Sequence, residues 1–275
     1  MATSLYYFTG TGNSLQVAMR LGRRIEDSTL IPMIRDLDTE RIIPDTDVVG
    51  FVFPQHASGL PRIVLNFMNK LSLPNSEYVF AVVTCMHPRG FSLDQLDQIL
   101  VKKKRTLNAG FFIPMPVNYI LGFDPPPLEA QHTIIGKAME KLDEVVAIIS
   151  RRDRHMDGDG FPMKILHRFT DIYRNRMRSL GSLDYNFTVT DGCDACGTCE
   201  LVCPVGNITL INKVPTWHHR CEQCLSCINL CPSHVIEYGE ETQGRNRYKN
   251  PNIQISEIIE RNERRCVSEN PDEHS

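Results

Sequence analysis

No stretch of this sequence approaches the ~18 consecutive apolar residues that a membrane-crossing helix needs, so no transmembrane segment is expected. A strong charge of either sign is also missing: the formal net charge is −3. That balance argues against nucleic acid and against an anionic membrane surface as partners. Met1 leads almost directly into an apolar run, which leaves no room for a leader peptide and points to a cytoplasmic protein. Tryptophan occurs once, at Trp217. No Gly-Lys-Ser/Thr follows a glycine loop, and no complete Gly-x-Gly-x-x-Gly fingerprint is present. No paired carboxylates and no nucleophile with a neighbouring base stand out, so bond-breaking by side chains is not expected. The length suits two domains, each with its own core.

Cysteine is plentiful: there are ten, and eight fall into two matching runs. These are Cys193-x-x-Cys196-x-x-Cys199-x-x-x-Cys203-Pro204 and Cys221-x-x-Cys224-x-x-Cys227-x-x-x-Cys231-Pro232. Each has the bacterial ferredoxin spacing, and together they provide the thiolates for two [4Fe–4S] clusters. Two-residue gaps let the chain curl around a cube, and Ala195, Gly197, Thr198 and Ser226 leave backbone N–H groups free to point at sulfur. In two-cluster ferredoxins the fourth cysteine of each run serves the other cluster. By that rule Cys193, Cys196, Cys199 and Cys231 form one set, and Cys221, Cys224, Cys227 and Cys203 the other. Zinc sites use one four-ligand set with a longer gap between pairs. Disulfides need an oxidising compartment, which nothing in the sequence indicates. So many thiols and two clusters point to a reducing cytoplasm, as in an anaerobe.

The N-terminus carries a second pattern. Leu5–Phe8 reads as a buried strand, Thr9-Gly10-Thr11-Gly12-Asn13-Ser14 as a hydroxyl-rich loop, and Leu15, Val17, Ala18, Leu21 and Ile25 as one face of a helix. Strand, small loop, helix is a phosphate-binding geometry, because free N–H groups and the helix dipole face the anion. No Lys or Arg lies in the loop, so hydroxyls and backbone would do the binding. Further strand-like runs at Thr29–Met33, Val48–Phe53, Tyr78–Thr84 and Asn108–Met115 alternate with helical patterns at Pro61–Leu71, Leu93–Lys104 and Thr133–Ile149. The alternation predicts a doubly wound parallel sheet of five strands in the order 2-1-3-4-5. The ligand would lie at the carboxyl ends of strands one, three and four. The loops there are Thr9–Ser14, Pro54–Gly59 and Thr84–Gly90.

The Thr9–Ser14 loop looks like the phosphate loop of flavodoxins, which holds FMN. With Phe53-Pro54, Gly59-Leu60-Pro61, Val83-Thr84-Cys85, Met115-Pro116-x-Asn118-Tyr119-Ile120 and Arg220-Cys221-Glu222-Gln223-Cys224, the chain resembles a family of flavodoxin–ferredoxin fusion proteins of anaerobic prokaryotes, over residues 1 to about 250. The resemblance implies a flavodoxin-like α/β domain at 1–152 and a basic linker helix at 153–186. It further implies a small α+β two-cluster ferredoxin-like domain at 187–240 and a C-terminal extension at 241–275. The expected FMN-binding residues are Thr9, Gly10, Thr11, Gly12, Asn13 and Ser14 in the first loop, and Pro54, Gln55, His56, Ala57, Ser58 and Gly59 in the second. Thr84, Cys85, Met86, His87 and Gly90 are expected from the third. Flavodoxins commonly stack the flavin between aromatic residues of the second and third loops. Here those loops hold Gln55, His56, Ala57, Ser58, Met86, His87, Pro88 and Arg89, with no Trp or Tyr. The flavin is therefore expected to be less covered, with its free edge toward the cluster module.

From Arg151 to Ser182 eight basic and four acidic side chains give +4, and from Leu183 to Ser275 eight basic and fourteen acidic give −6. After the break at Asp157-Gly158-Asp159-Gly160, the stripe Ile165, Phe169, Ile172, Tyr173 and Leu180 reads as a connector helix with its basic flank toward the acidic module. A membrane-surface or partner-docking helix is the alternative. Cys85 reads as a structural cysteine at a strand end, Cys266 as incidental, and His218, His219 and Arg220 as capping the turn before the second run. The expected function is an electron relay among FMN, two clusters and redox partner proteins, such as ferredoxin-linked oxidoreductases or hydrogenase-type enzymes. A flavin reductase using NAD(P)H and a redox sensor are the alternatives.

Overall fold

The structure, a computed structural model, describes residues 2–36, 39–86, 90–157 and 184–263. Five parallel strands build the larger part: β1 (Thr3–Tyr7), β2 (Ser28–Pro32), β3 (Val48–Pro54), β4 (Tyr78–Cys85) and β5 (Ala109–Pro114). A two-residue sixth strand, β6 (His155–Met156), was not expected; it adds in parallel to β5. The sheet order is β2-β1-β3-β4-β5-β6. Its order over the first five strands is the flavodoxin-like one, with the switch point between β1 and β3.

Helices cover both faces, so the strands read as unbroken apolar runs that sort by parity. Leu5, Tyr7, Val52, Phe80, Val82 and Phe111 face α1 (Asn13–Arg24) and α4 (Leu128–Ser150). Tyr6, Phe8, Phe51, Phe53, Val83 and Phe112 face α2 (Arg62–Lys70) and α3 (Ser92–Lys102). The α1–α4 pair is tied at the surface by Arg20 and Arg24, both on Asp143.

The short β6 is held by a charged lock. The Asp157 carboxylate accepts from Lys141 Nζ at 2.8 Å and from the Phe112 N–H at 2.9 Å, and meets His155 Nε2 at 3.0 Å. Burial pushes this carboxyl up, but the hydrogen bonds of Lys141, Phe112 and His155 together hold it below the usual carboxylate range. A lowered native pKa contributes stability above the unfolded value of about 3.9 and loses it as pH falls through the native one. Asp157→Asn should cost about 1–3 kcal/mol at pH 7 and remove part of the acid sensitivity. Denaturant titrations of both proteins at pH 7 and below pH 4 check this: equal midpoints at pH 7 would refute it.

The remaining described residues form two small sheets and three short helices. β7 (Phe187–Val189) pairs antiparallel with β10 (Ile236–Tyr238). The hairpin of β8 (Ile208–Ile211) and β9 (Val214–Trp217) separates α5 (Thr198–Leu201) from α6 (Ser226–Leu230). The last helix is α7 (Ile255–Glu263). The duplicated sequence has a duplicated backbone. Left-handed φ occurs at Ala195, Gly197 and Gly206 in the first half, and at the corresponding Gln223, Leu225 and His234 in the second. The first two of each three turn the chain between successive cysteines of a run, and the third turns it just after the run ends.

The segment after β10 packs back against the larger sheet. Val202, Leu230, Ile253 and Ile258 are buried in the same core cluster as Leu5 and Leu15. Tyr248 is fully buried; its N–H donates to Asn229 Oδ1 and its hydroxyl to Asn13 Oδ1. The linker stripe from Ile165 to Leu180, Cys266 and the C-terminal tail lie outside the described residues.

Candidate functional site

A cavity of about 360 Å³ opens at the carboxyl ends of β1, β3 and β4. It is lined by Thr9, Gly10, Thr11, Asn13 and Ser14 of the first loop, Pro54, Gln55, His56, Ala57 and Ser58 of the second, and Thr84, Cys85 and Met86 of the third. Gly12, Gly59 and Gly90 shape the rim and do not line it. Gly12, at φ 101°, turns the chain into α1, and a Cβ there would press on Asn250 and Ile253 at 3.0 and 3.1 Å. Gly59 closes a two-way backbone turn with His56. At Gly90 a Cβ would meet the Ser58 carbonyl at 2.6 Å. His87, with Pro88 and Arg89, lies outside the described residues.

Among the described residues no charged side chain lines the cavity. His56 adds no charge: burial pushes its pKa down to about 4, and the ring sits edge-on to Phe8. Any anion must therefore be held by dipoles. No side chain caps the N-terminus of α1, and no acid occupies its first turn, so its first N–H groups face the cavity end with the favourable helix dipole. Ser14 Oγ and Thr84 Oγ1 share a hydrogen bond of 2.7 Å, and Asn118 Nδ2 donates to Thr11 Oγ1 at 2.9 Å. Thr9 Oγ1 is buried and has no protein partner among the described residues. A hydroxyl orphaned beside an uncapped helix start fits a phosphate ligand.

Two parts of the wall were not expected. Met115, Pro116, Val117, Asn118, Tyr119 and Phe123 come from the β5–α4 connection, and Gln223, Cys224 and Leu225 from the second cysteine run. Tyr119 and Phe123 are large and solvent-exposed, so this connection brings two aromatic side chains to the cavity wall. The phrase Met115-Pro116-x-Asn118-Tyr119 was the available signal, but spacing alone assigned it no place.

The cysteine run is latched onto the loops. Glu222 Oε2 accepts from the Ile63 N–H at 3.1 Å, and the Arg62 side chain reaches both Glu222 and the Cys221 carbonyl. A carboxylate at the start of α2 meets the positive end of that helix. Ser226 Oγ donates to the Gly10 carbonyl at 3.0 Å, and Asn229 Nδ2 to the Asn118 carbonyl at 3.2 Å. A Cβ at Gly10 would stand 2.6 Å from the Cys224 carbonyl oxygen. Glycine is required there by the close approach of the two loops.

All eight motif cysteines are free thiols and frame two hollows. Cys193, Cys196, Cys199 and Cys231 line one, hereafter distal. Cys203, Cys221, Cys224 and Cys227 line the other, proximal to the cavity because Cys224 belongs to both. Among the described residues no group of His, Cys, Asp or Glu closes on a point as ligands of a single metal ion do. Zinc draws four ligands to one centre at about 2.3 Å, whereas thiols spread around a hollow suit a group several atoms across. Burial pushes the Cys199 thiol up to about 12, with Cys231 and Cys196 adding repulsion, and pushes Cys224 up to about 12, with Cys203 adding repulsion. At such values both side chains are neutral thiols in the absence of a bound cation. Asn207 and Gln223 donate N–H groups to Cys203 and Cys221 at 3.2 Å, while Thr198 and Ser226 bring hydroxyls to Cys196 and Cys224 at 3.3 Å. The donors to sulfur thus include two backbone positions beyond the small residues expected. His219 binds Asp184, and the Arg220 N–H binds Asn207 Oδ1, which fixes the turn before the second run.

A larger recess of about 670 Å³ lies at the amino ends of the strands, lined by Arg41, Lys70, Lys103, Lys104 and Arg105. Arg105 reaches the Leu73 carbonyl and Lys103 the Asn69 carbonyl, which ties these two cations to the C-terminal end of α2 and the loop after it. Among the described residues no helix is long and apolar enough to cross a membrane.

No protein-family model and no curated protein sequence matches the chain. Among solved structures, a flavodoxin from the domain Archaea is 13% identical with a TM-score of 0.35, the match covering 53% of this chain and 99% of that one. The two-electron reduced flavodoxin of Megasphaera elsdenii is 19% identical with a TM-score of 0.32, covering 50% and 98%. An azoreductase from Bacillus anthracis str. Sterne is 8% identical with a TM-score of 0.36, covering 53% and 99%. The fold assignment rests on the strand order, not on these likenesses.

Proposed function

We propose that this chain is an electron relay carrying one FMN and two [4Fe–4S] clusters, and that it moves low-potential electrons between redox partner proteins. The observation that carries the proposal is Cys224, a wall residue of the flavin-sized cavity and a member of the proximal cysteine set at once. Residues 1–152 would hold the flavin and 187–240 the clusters, with 241–263 clamping the two together. Each cluster passes one electron at a time, while FMN takes one or two.

The residues divide the work. The Thr9 hydroxyl and the first N–H groups of α1 would hold the phosphate. Tyr119 and Phe123 would cover the ring, and neutral His56 would leave its potential unbiased by added charge. The latch of Glu222 on Ile63 and Arg62 keeps the cavity and the proximal set in one fixed relation. Cys196 of the distal set is exposed whereas no cysteine of the proximal set is, so the distal set would be the side that a partner protein can approach.

Anaerobic preparation of the full chain should yield about eight irons, as two four-iron cubes require, and one FMN. A low-potential ferredoxin system should bleach clusters and flavin together. Zinc-loaded protein that never gains a brown chromophore on reconstitution would refute the clusters. Bleaching of the flavin by NADH or NADPH alone would shift the reading to a flavin reductase.

A further inference from the structure

We propose that Trp217 is a hydrogen-bond donor to the proximal cluster and raises that cluster's reduction potential above what its burial would set. This rests on the two-cluster reading given above and concerns one side chain toward that group. Trp217 is the single tryptophan of the chain, and its indole is a donor only. Its Nε1 is sealed from solvent and has no acceptor among the described residues. Buried donors are normally satisfied, because an unmade bond there is destabilising. The side chain lines the hollow framed by Cys203, Cys221, Cys224 and Cys227. Its plane is fixed by Phe187, stacked at 5.3 Å and 2°, with Tyr238 edge-on behind Phe187. The cysteine sulfurs themselves leave the indole unpartnered, so the acceptor that completes it is sulfur of the bound cluster.

The hairpin of β8 and β9 makes the two hollows unequal. Its pair Ile208 and Trp217 faces the proximal set, and its pair Leu210 and Pro215 faces the distal set. Neither Leu210 nor Pro215 has a side-chain donor, and Pro215 lacks even a backbone N–H. A donor aimed at cluster sulfur favours the reduced, more negative state. Three features pull the proximal cluster the other way: its buried cysteines and the nearby carboxylates of Asp184 and Glu222. The indole N–H offsets these, which keeps the proximal cluster reducible beside the flavin.

The test is Trp217→Phe in the anaerobic holoprotein, read by iron content and by spectroscopic redox titration of both clusters. With iron at the wild-type level, the expected result is one cluster titrating at a more negative potential and the other unchanged. Unchanged potentials, or an equal shift of both, would overturn the proposal while leaving the two-cluster reading intact. Wild-type protein that binds no iron would instead sink the reading itself. A second measurement needs no variant. Indole-¹⁵N labelling gives one Nε1 signal, and reduction of the clusters should displace it far from its diamagnetic position. A signal that does not move on reduction overturns the proposal even if Trp217→Phe fails to fold.

Discussion

Replacing Cys203 with alanine is expected to halve the iron of the anaerobic protein, from about eight to about four per chain. The flavin should then no longer be reduced by way of the clusters. Cys203 closes the first run in sequence, yet it lines the hollow framed by Cys221, Cys224 and Cys227. Cys231 closes the second run and lines the hollow of Cys193, Cys196 and Cys199. Double variants give the assignment a sharp form. Cys203→Ala with Cys221→Ala removes two ligands of one set and should still leave about four irons, like either single variant. Cys203→Ala with Cys193→Ala strikes both sets and should leave almost none. Uncrossed ligation predicts the opposite pattern, with the first double variant empty and the second half-filled. Iron analysis of the four proteins decides between them. The functional consequence separates the clusters further. Cys231→Ala should also halve the iron, but it spares the set that shares Cys224 with the cavity, so a small-molecule reductant able to reach the proximal cluster should still bleach the flavin.

Cys231 lies with Cys193, Cys196 and Cys199, and Cys203 with Cys221, Cys224 and Cys227, the grouping that ferredoxin spacing leads one to expect because that spacing is a local constraint. The sheet was legible for a similar reason. A strand buried on both faces is a continuous apolar run, and β1, β3 and β4 are such runs, while α1 and α2 declare themselves by buried residues on one side. The sixth strand was not legible. His155 and Met156 are held at the edge by the lock around Asp157, whose partners Lys141 and Phe112 lie 16 and 45 residues away. No window short enough to show periodicity contains them.

The contact between the two modules was even less visible. It depends on Glu222 capping α2 across 159 residues and on Tyr248 reaching Asn13 across 235. Glu222 sits between two cysteines and reads as a spacer. Asn250 and Asn13 form one string of hydrogen bonds near the first loop, Asn229 and Asn118 a second, and Tyr248 joins the two. Amide side chains carry no periodic signature, because they both donate and accept and serve whichever loops meet. The same holds for Tyr119 and Phe123. Their place in the cavity wall follows from a connection whose position only the fold reveals.

Two substitutions in the first loop should separate phosphate binding from folding. Thr9→Val is nearly isosteric and removes a buried hydroxyl that has no protein partner among the described residues. Losing an orphaned polar group does not weaken the apoprotein, and should make it as stable as the parent or slightly more so. FMN affinity should nevertheless fall tenfold or more, since a hydrogen bond to a charged phosphate contributes about 1.5–3 kcal/mol. Ser14→Leu is the drastic counterpart. Ser14 is 1% exposed and bonded to Thr84 Oγ1, so a larger apolar side chain must displace its neighbours and block the start of α1. FMN binding should be lost there, with a stability cost of about 1–3 kcal/mol from overpacking. Iron content should stay at the parent level in Thr9→Val, because the cysteine hollows share only Cys224 with the cavity wall among their ligands. Fluorescence titration with FMN and thermal unfolding of the apoprotein measure the two quantities independently. If Thr9→Val binds FMN as the parent does, the orphaned hydroxyl has another purpose and the phosphate site must be sought outside this loop.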